Sequence, residues 1–290
     1  MEETELFSVL IANYNNGRYL QEAIDSVLAQ TYGRWEVVIV DDGSTDNSAE
    51  IYGKYQDDSR FHISFNAGNK GCGYTKRRCA ELAHGELCGF LDADDALLSD
   101  ALEAHVEAHR RHPEVSCVFS RYYYCDGRLN VTGESRRLTL AEGQGYFTGR
   151  DYLPEHLASF KRACYLRTEG IDASLPAAVD QDLYFKLEET APVYVMDKFT
   201  YKYRIGDGQI SQGGNWAKTF YWNLVVRHNT CLRRHLAPGD YPGQDLCERV
   251  QAMETEREAY KRELARTRSS RAFRLGKALL APWGWLKKNR

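Results

Sequence analysis

The sequence predicts an α/β protein with a doubly wound, mostly parallel sheet, and three observations lead to this prediction. Short apolar runs rich in β-branched residues recur in the first 115 residues, and they are continuous rather than alternating in polarity. Such runs are typical of strands covered by helices on both faces of a parallel sheet. Each run is followed by a segment with apolar residues at helical spacing. Aspartates follow two of the runs directly, where parallel strands would end.

The first two strand–helix units occupy the first 55 residues. Residues 7–11 form the first apolar run, and a helix is predicted over 19–30. Its apolar face is predicted to contain Leu20, Ile24, Val27 and Leu28. The second strand, at 36–40, is followed by Asp41 and Asp42, and a helix is predicted from about 46 to 55.

Two further units follow the same pattern. A strand is predicted at 62–65, and a turn containing glycine leads into a helix that reaches Ala83. Residues 87–91 form the fourth strand, followed by Asp92-Ala93-Asp94-Asp95, and the next helix ends near His112. Four such units in about 110 residues indicate a doubly wound domain.

The rest of the chain is less regular. Residues 116–212 are predicted to form a second lobe on the same sheet, and 213–244 a helical segment with a linker rich in proline and glycine. Apolar residues then recur at steps of four and three at Leu246, Val250, Met253, Tyr260 and Leu264. This spacing predicts a helix over 245–268, either as a coiled coil that joins copies of the chain or as a lone helix on the body.

The charge is distributed unevenly. The chain has 38 basic and 41 acidic residues, a formal charge of −3, which argues against a general nucleic-acid binder. Eight of the basic residues and none of the acidic ones lie in 266–290, so the first 265 residues carry a formal −11. The amphipathic stretch 269–290, with two tryptophans, is typical of an anchor on an anionic membrane surface. The alternatives are a helix packed on the acidic body or a disordered end.

Location is predicted from features that the sequence lacks. The eight cysteines include no CxxC pair, and the first residues have neither the basic nor the apolar region of a signal peptide. No apolar stretch approaches the ~20 residues of a spanning helix. We therefore expect a cytoplasmic protein that attaches peripherally to the inner face of the cell membrane.

The aspartates at the strand ends predict a cation site. Ligands of open parallel sheets bind at the carboxyl ends of the strands, and five carboxylates meet there: Asp41, Asp42, Asp92, Asp94 and Asp95. Their repulsion must be offset, and a hard divalent ion, Mg²⁺ or Mn²⁺, is the natural partner of such oxygen ligands. Helix capping is the simpler explanation, but it accounts for only one aspartate at each site.

Three stretches together carry a family resemblance. The order SVLIANYNNGRYLQEAIDSVLAQTYGRWEVVIVDDGSTDNS, FLDADDALL and AVDQDLYFKL resembles the family 2 glycosyltransferases, which have the GT-A nucleotide-diphospho-sugar transferase fold. The resemblance covers about residues 6–212. It implies that 1–115 bind the nucleotide sugar and that 116–212 bind the acceptor.

The resemblance also implies roles for individual residues. Asn13, Tyr14, Asp41 and Asp42 match the floor that holds the nucleotide base, usually uracil. Asp92-Ala93-Asp94 matches the DxD motif, with Asp92 nearer the ribose and Asp94 on the metal that bridges the diphosphate. Asp95 would support this loop or face the acceptor. Asp180 lies where the family has its catalytic base, and Asp182 where it has a structural acidic residue.

These roles imply an inverting glycosyltransferase. A carboxylate such as Asp180 would take the proton of a sugar hydroxyl, while a bound metal would neutralise the leaving diphosphate. The residues alone favour Asp180 as a helix cap instead. The implied donor is a UDP-sugar, and the implied acceptor is a glycan or a lipid-linked sugar of a surface polysaccharide.

Three departures separate this sequence from the usual family pattern. Relatives often have Ala-Arg-Asn where this chain has Thr75-Lys76-Arg77, so a phosphate role stays with Lys76 or Arg77. Relatives usually have Glu where this chain has Val179, and Gly206 stands where they often have a metal-binding histidine. Either Asp207 replaces that ligand or the ligand is missing.

Other functions have weaker support. The chain has no GxGxxG after its first strand, no GxxxxGK[ST] loop and no GxSxG, which argues against a dehydrogenase, a P-loop enzyme and an α/β-hydrolase. His156 and Arg204 are candidates either for the acceptor side or for supporting the residues that contact ligands, although a lone histidine is more often structural. The alternative hypothesis is a non-catalytic scaffold that binds a sugar nucleotide and is held at a membrane by its C-terminal helices.

Overall fold

A computed structural model describes residues 5–137, 140, 145–148, 157–206 and 216–237, with 255, 262 and 266. The chain divides into two units, Met1–Arg234 and His235–Arg290. His156, Asp207, the linker at 238–243 and the tail at 269–290 lie outside the described residues, as does nearly all of 245–268. The predicted boundaries at 115, 212, 244 and 268 therefore stay predictions.

The described strands belong to one nine-stranded sheet. The strands are β1 (Phe7–Asn13), β2 (Trp35–Asp41), β3 (Phe61–Phe65), β4 (Leu87–Phe90), β5 (Ala96–Leu97), β6 (Cys117–Cys125), β7 (Val131–Glu134), β8 (Ala158–Lys161) and β9 (Val193–Arg204). The helices are α1 (Gly17–Leu28), α2 (Ser48–Tyr52), α3 (Cys72–Leu82), α4 (Ala101–Arg111), α5 (Arg162–Tyr165), α6 (Val179–Glu188) and α7 (Trp216–Arg233).

The first half of the sheet is parallel, in the order β3-β2-β1-β4. Every residue of β2 is buried, as its continuous apolar sequence predicts for a strand covered on both faces. The register pairs Asn13 with Asp41 and Asp41 with Phe65. The carboxyl ends of β1, β2 and β3 therefore meet at one edge, called here the carboxyl edge.

The second half makes the sheet mixed rather than mostly parallel. β8 lies between β4 and β6 and is antiparallel to both. β7 pairs antiparallel with β6, and β5 pairs antiparallel with β9. In this half of the sheet, only the pairing of β6 with β9 is parallel. Of the eight pairings between described strands, four are parallel. The physical reason is that the chain turns back from β6 into β7, and antiparallel neighbours need no crossover helix.

Helix α1 shows how the predicted faces pack. Leu20, Ile24 and Val27 are buried against β1 and β2 in the core, whereas Leu28 is exposed, contrary to the prediction. Leu28 is turned by one residue, about 100°, from Val27 and so leaves the buried face. The helix begins at Gly17, where a Cβ would come within 2.3 Å of the Asn47 side chain.

Helix α2 is shorter than predicted and is tied to α1 by Asp46. One Asp46 oxygen accepts hydrogen bonds from the amide and hydroxyl of Ser48, and the other accepts the Gly17 amide at 2.7 Å. A single carboxylate therefore fixes the start of both helices behind the carboxyl edge. Within the described part of the chain, no helix has the length and apolar character required to cross a bilayer.

Candidate active site

The predicted base-binding residues at the end of β1 and β2 form a buried network. Asp41 accepts hydrogen bonds from the Tyr52 hydroxyl at 2.7 Å, the Asn13 amide at 3.3 Å and the amides of Gly43 and Ser44. Burial, reinforced by the Asp41 carboxylate, raises the pKa of Tyr52, so its hydroxyl stays a donor. The side chains of Asn13 and Asp41 are therefore buried and held in place by these hydrogen bonds.

Asp42 organises the loop that follows β3. Its carboxylate accepts hydrogen bonds from the Asn66 side chain at 2.7 Å and from the amides of Lys70 and Gly71 at 2.8 and 2.9 Å. The two loops touch at Gly43, whose φ is +79° and where a Cβ would lie 2.8 Å from the Cα of Gly68. A side chain at Gly43 would therefore separate the two loops.

Tyr14 differs from the other three base-side residues because 46% of its side chain is exposed. The loop behind it is held by Asn15, whose side-chain oxygen accepts the Thr45 amide at 2.8 Å. Of the four predicted floor residues, Tyr14 is thus the one whose ring is open to a ligand. Asn66, which the sequence patterns did not single out, donates a hydrogen bond to Asp42 beside these predicted residues.

Lys76 is the centre of the site. Its ammonium lies 2.8 Å from a carboxylate oxygen of Asp180 and 3.1 Å from one of Asp92, and 5.0 Å from the centre of the Phe90 ring. Burial alone would lower the pKa of Lys76, but the two carboxylates outweigh burial and raise it well above its ordinary value. Lys76 therefore stays positively charged and joins residues that are 88 positions apart in the sequence.

The structure separates Lys76 from Arg77, which the sequence left as equal candidates. The Arg77 guanidinium binds Glu81 at 2.8 Å and the carbonyl of Ile171 at 3.1 Å, so it is not part of the Lys76 group. Lys76 lies on the buried face of α3 together with Cys79 and Ala80. Helical spacing could have selected it, because residues three and four apart share a face.

The loop that carries the DxD motif is fixed from below by Asp95 and Tyr201. Asp95 is fully buried and accepts hydrogen bonds from the Tyr201 hydroxyl at 2.8 Å and the Arg204 amide at 2.7 Å. The Tyr201 hydroxyl also accepts the Asp92 amide at 3.1 Å. Burial, with the carboxylates of Asp94 and Asp92, raises the pKa of Asp95 well above its ordinary value. Asp95 thus supports the loop and does not face an acceptor.

Arg204 is also buried, and it holds the loop rather than lining an open surface. Its guanidinium donates to the carbonyls of Asp94 and Gly127 and to the carboxylate of Glu22. The cation also lies 4.3 Å from the centre of the Tyr19 ring. Three separate segments therefore meet at one side chain behind the motif.

Asp180 lies in the first turn of α6, with 42% of its side chain exposed. The N-cap position is Ala178, at a φ of +58°, and no side chain caps the helix there. Capping, the simpler explanation for Asp180, is thus not what the structure shows. Its carboxylate instead pairs with Lys76, which brings it beside Asp92.

Asp182 lies below this turn and is buried. Its carboxylate accepts hydrogen bonds from the Lys186 ammonium at 2.7 Å and the Asp172 amide at 3.2 Å, while Lys186 also donates to the carbonyl of Gly170. This agrees with the structural role that the resemblance implies. Asp182 thus ties α6, whose first turn carries Asp180, to the segment around Asp172 that precedes the helix.

Two further residues complete the group. Ala93 is buried in the core, so only its backbone can contact a ligand. Cys72 begins α3, and burial raises the pKa of its thiol to about 11 while Lys76 acts in the opposite direction. The thiol is therefore neutral at ordinary pH. No motif distinguishes Cys72 in the sequence.

The donor set of the DxD loop fits a hard divalent cation. Arg204 and Tyr201 bind the backbone of the loop, and the side chains of Asp92 and Asp94 stay partly exposed. Mg²⁺ and similar ions are usually held by one or two carboxylates and complete their shell with phosphate oxygens and water. The carboxylates of Asp92 and Asp94 are therefore the groups of this loop that would hold the ion.

Comparison with known proteins agrees with this geometry. The model of the family described as Glycosyl transferase family 2 matches residues 8–169. Over 201 residues the chain is 28% identical to a chondroitin synthase of Escherichia coli, covering 69% of this chain and 29% of that protein. The chain thus spans less than a third of the length of that relative.

Solved structures show the same fold. One is the S. aureus TarS fragment 1–349 in complex with UDP-GlcNAc, with a TM-score of 0.63 and 21% identity, covering 77% of this chain and 66% of that one. Another is the mannosyltransferase PcManGT of Pyrobaculum calidifontis in complex with GDP-Man and Mn²⁺, with a TM-score of 0.59 and 16% identity over 97% and 85% of the two chains. The predicted GT-A fold is confirmed.

Proposed function

The chain belongs to family 2 of the glycosyltransferases, and from this premise we propose that it transfers a sugar from a nucleotide diphosphate to an acceptor hydroxyl with inversion. The observation that carries the proposal is the Lys76 ammonium, which holds Asp92 of the DxD motif and Asp180 together. The ammonium of Lys76 thus links Asp92, on the proposed donor side, to Asp180, which lies where the family has its catalytic base. A protein that only bound sugar nucleotides would not need the Asp180 contact.

The donor is a nucleotide sugar, most simply a UDP-sugar. The open ring of Tyr14 stacks on the base, above the floor that Asn13, Asp41 and Asp42 shape. TarS and PcManGT were solved with UDP-GlcNAc and GDP-Man, and both of these ligands are nucleotide diphosphosugars. This supports the donor class and leaves the choice of sugar to experiment.

The chemical step is a single displacement. The acceptor oxygen forms a bond to the anomeric carbon while the bond from that carbon to the diphosphate oxygen breaks, and the nucleoside diphosphate leaves with the electron pair. Asp180 takes the hydroxyl proton, which makes the oxygen a competent nucleophile. Its partly exposed carboxylate is open to an acceptor, whereas Asp95 and Asp182 are buried.

Lys76 has two tasks in this scheme. Before the donor binds it balances Asp92 and Asp180, and with the donor present its ammonium stabilises the negative charge of the departing diphosphate. Mg²⁺ or Mn²⁺ held by Asp94 and Asp92 would neutralise further charge on that diphosphate. Arg204 and Tyr201 hold the backbone that presents both carboxylates.

The acceptor is a glycan or lipid-linked sugar in the synthesis of a surface polysaccharide. The E. coli relative is named as a synthase of such a polymer, chondroitin. The basic stretch at 269–290 then places the enzyme on the anionic inner face of the cell membrane, and 245–268 joins copies of the chain. Sedimentation with anionic liposomes, with and without 269–290, tests the attachment, and equal binding of both forms would exclude an anchor.

The proposed chemistry is tested by a donor screen that measures release of the nucleoside diphosphate with Mn²⁺ or Mg²⁺. Asp180→Asn should abolish transfer while UDP and Mn²⁺ still bind, and Asp94→Ala should remove metal-dependent UDP binding. Asp57→Asn is the matched control, since Asp57 is exposed and makes none of the contacts described for the site. Full activity of Asp180→Asn would refute the base, and UDP binding without release from any donor would favour a non-catalytic scaffold.

A further inference from the structure

A group of side chains of the types that coordinate metals lies at the opposite, amino edge of the sheet. Glu36 is the second residue of β2, His62 is the second residue of β3, and His84 lies in the turn between α3 and β4. The three side chains each offer one ligand atom, and these atoms lie within 4.8 Å of one another. Asp92 and Asp94 follow the carboxyl end of β4, whereas His84 precedes its amino end, so the two groups lie at opposite ends of that strand.

The carboxylate of Glu36 is buried and held in one orientation. One of its oxygens accepts the Ser8 hydroxyl at 2.5 Å and the His84 amide at 2.7 Å, and Ser8 in turn accepts the Gly85 amide at 2.8 Å. Burial would raise the pKa of Glu36, but the hydrogen bonds from Ser8 and His84 outweigh burial and lower it. The carboxylate is thus charged, and its second oxygen is directed at the two imidazoles.

Both imidazoles approach that second oxygen. The His62 Nε2 and the His84 Nδ1 each lie 3.1 Å from it, and their side chains are 41% and 65% exposed. In a tetrahedral site with bonds of about 2.0–2.2 Å, neighbouring ligand atoms are about 3.4 Å apart. The distances from the Glu36 oxygen to the two imidazole nitrogens therefore need little change. The distance between the two nitrogens, which is within 4.8 Å, can be adjusted by rotation of the exposed rings.

We propose that Glu36, His62 and His84 form a binding site for a transition-metal ion, with Zn²⁺ as the main case and solvent completing its shell. Two imidazoles and one carboxylate suit Zn²⁺, Co²⁺ or Ni²⁺, whereas Mg²⁺ prefers oxygen ligands alone. The hydrogen bonds of Ser8 and His84 to Glu36 supply the outer contacts that orient ligands in metal sites. The ion would join β2, β3 and the turn before β4, so its role is to stabilise the amino edge.

The same contacts have an explanation without metal, in which a protonated histidine pairs with Glu36. The two explanations differ in what the protein does with an added ion. A metal site takes up one equivalent of Zn²⁺ or Co²⁺. An ion pair alone takes up none.

The test uses the full chain without a polyhistidine tag, stripped with a chelator and titrated with Co²⁺ and Zn²⁺ in excess Mg²⁺. Calorimetry gives the stoichiometry, and the visible absorption of Co²⁺ reports a tetrahedral site. We expect one equivalent in the wild type and a rise in Tm with Zn²⁺. His62→Gln and His84→Gln should each weaken binding at least about 100-fold, because even the loss of an outer contact costs about 10–100-fold.

Two controls separate this site from others. His112→Gln removes a histidine that also lies near a carboxylate, 3.4 Å from Glu114, and it should bind as the wild type does. Asp94→Ala removes the proposed catalytic ligand and should leave the Co²⁺ spectrum intact. Since His62 and His84 are exposed, their variants should keep the Tm of the metal-free protein. The proposal would be overturned if the wild type took up no Zn²⁺ or Co²⁺, or if His62→Gln and His84→Gln both bound the ion as tightly as the wild type. Loss of uptake in Asp94→Ala alone would also overturn it.

Discussion

The substitution Lys76→Met isolates the role of the ammonium that joins the two halves of the site. Methionine retains an unbranched apolar stem that can pack against Phe90, over which the ammonium now lies at 5.0 Å. What is lost is the charge that contacts Asp180 at 2.8 Å and Asp92 at 3.1 Å. The expected result is an enzyme that folds but has lost most of its rate.

The magnitude follows from these distances. Because both carboxylate oxygens touch Lys76, they are at most about 6 Å apart, and at that separation two negative charges repel by about 3 kcal/mol at an effective dielectric constant of 20 and about 0.7 kcal/mol in water. Asp92 and Asp180 are 36% and 42% exposed, which places the repulsion between these limits. Removing a buried ammonium also relieves its desolvation cost. The free energy of unfolding should therefore change by no more than about 3 kcal/mol.

Catalysis should suffer more than stability. The ammonium is placed to stabilise charge that develops on the diphosphate, and loss of one such preorganised group costs about 10²–10³ in kcat. Lys76→Arg keeps the charge and should recover part of the rate. Lys54→Met is the matched control, since Lys54 is exposed and its ammonium donates to the side chain of Gln21.

The assay measures kcat and KM for release of the nucleoside diphosphate, with the Tm of each variant measured alongside. A fall in kcat at near-constant Tm supports the proposed role. If Lys76→Met keeps its kcat within about threefold of the wild type, the ammonium does not stabilise the departing diphosphate. If instead the rate falls only in proportion to lost folded protein, the role of Lys76 is structural.

Three further predictions concern other parts of the molecule. Arg204→Lys keeps the charge but cannot reach all three acceptors of the buried guanidinium, so the Tm should fall and Mn²⁺ affinity should weaken; unchanged values of both would contradict the role of Arg204 in holding the loop. At Gly206 a Cβ would meet nothing within 4 Å, so Gly206→His should fold normally and strengthen Mn²⁺ binding in the presence of UDP, as measured by calorimetry. His105 and His109 share the Ser159 hydroxyl, and burial lowers the pKa of both to about 3. Between pH 6.5, their ordinary pKa, and about 3, only the unfolded chain protonates these two histidines. Each time the pH is lowered by one unit in this range, the free energy of unfolding should therefore decrease by about 1.4 kcal/mol for each histidine. Denaturant titrations should show a shallower slope in His105→Gln; an equal slope would refute the assignment.

The parallel half of the sheet could be predicted because each of its strands carries its own signal. β2 is buried on both faces, and that requirement is visible as an unbroken apolar run. β8 carries no such signal. Its four residues lie between β4 and β6 because both of those strands offer a free edge, and such a placement depends on tertiary packing rather than on local pattern.

The site was predictable to the extent that function restricts residue type. Asp92, Asp94 and Asp180 stand in motifs, whereas Tyr201 and Asn66 act through a single hydroxyl or amide that many sequences could supply. The roles of Asp95 and Arg204 could not be read from the sequence either. Whether an acidic or basic side chain faces a ligand or the core depends on which partners the fold brings to it.

The carboxylates at the carboxyl edge differ in burial, because some are enclosed among hydrogen-bond donors and others are partly exposed. Asp41 and Asp42 are satisfied by hydroxyl and amide donors, and Asp182 by Lys186. The side chains of Asp92, Asp94 and Asp180 are partly exposed, and the ammonium of Lys76 contacts two of them, so these four side chains carry a formal charge of −2. A nucleoside diphosphate alone would add negative charge to that surface, whereas a divalent cation brings the group to neutrality. The charge balance therefore favours binding of the donor together with its cation. It predicts that UDP binds far more weakly in EDTA than in Mn²⁺, and equal affinity in the two would refute this electrostatic account.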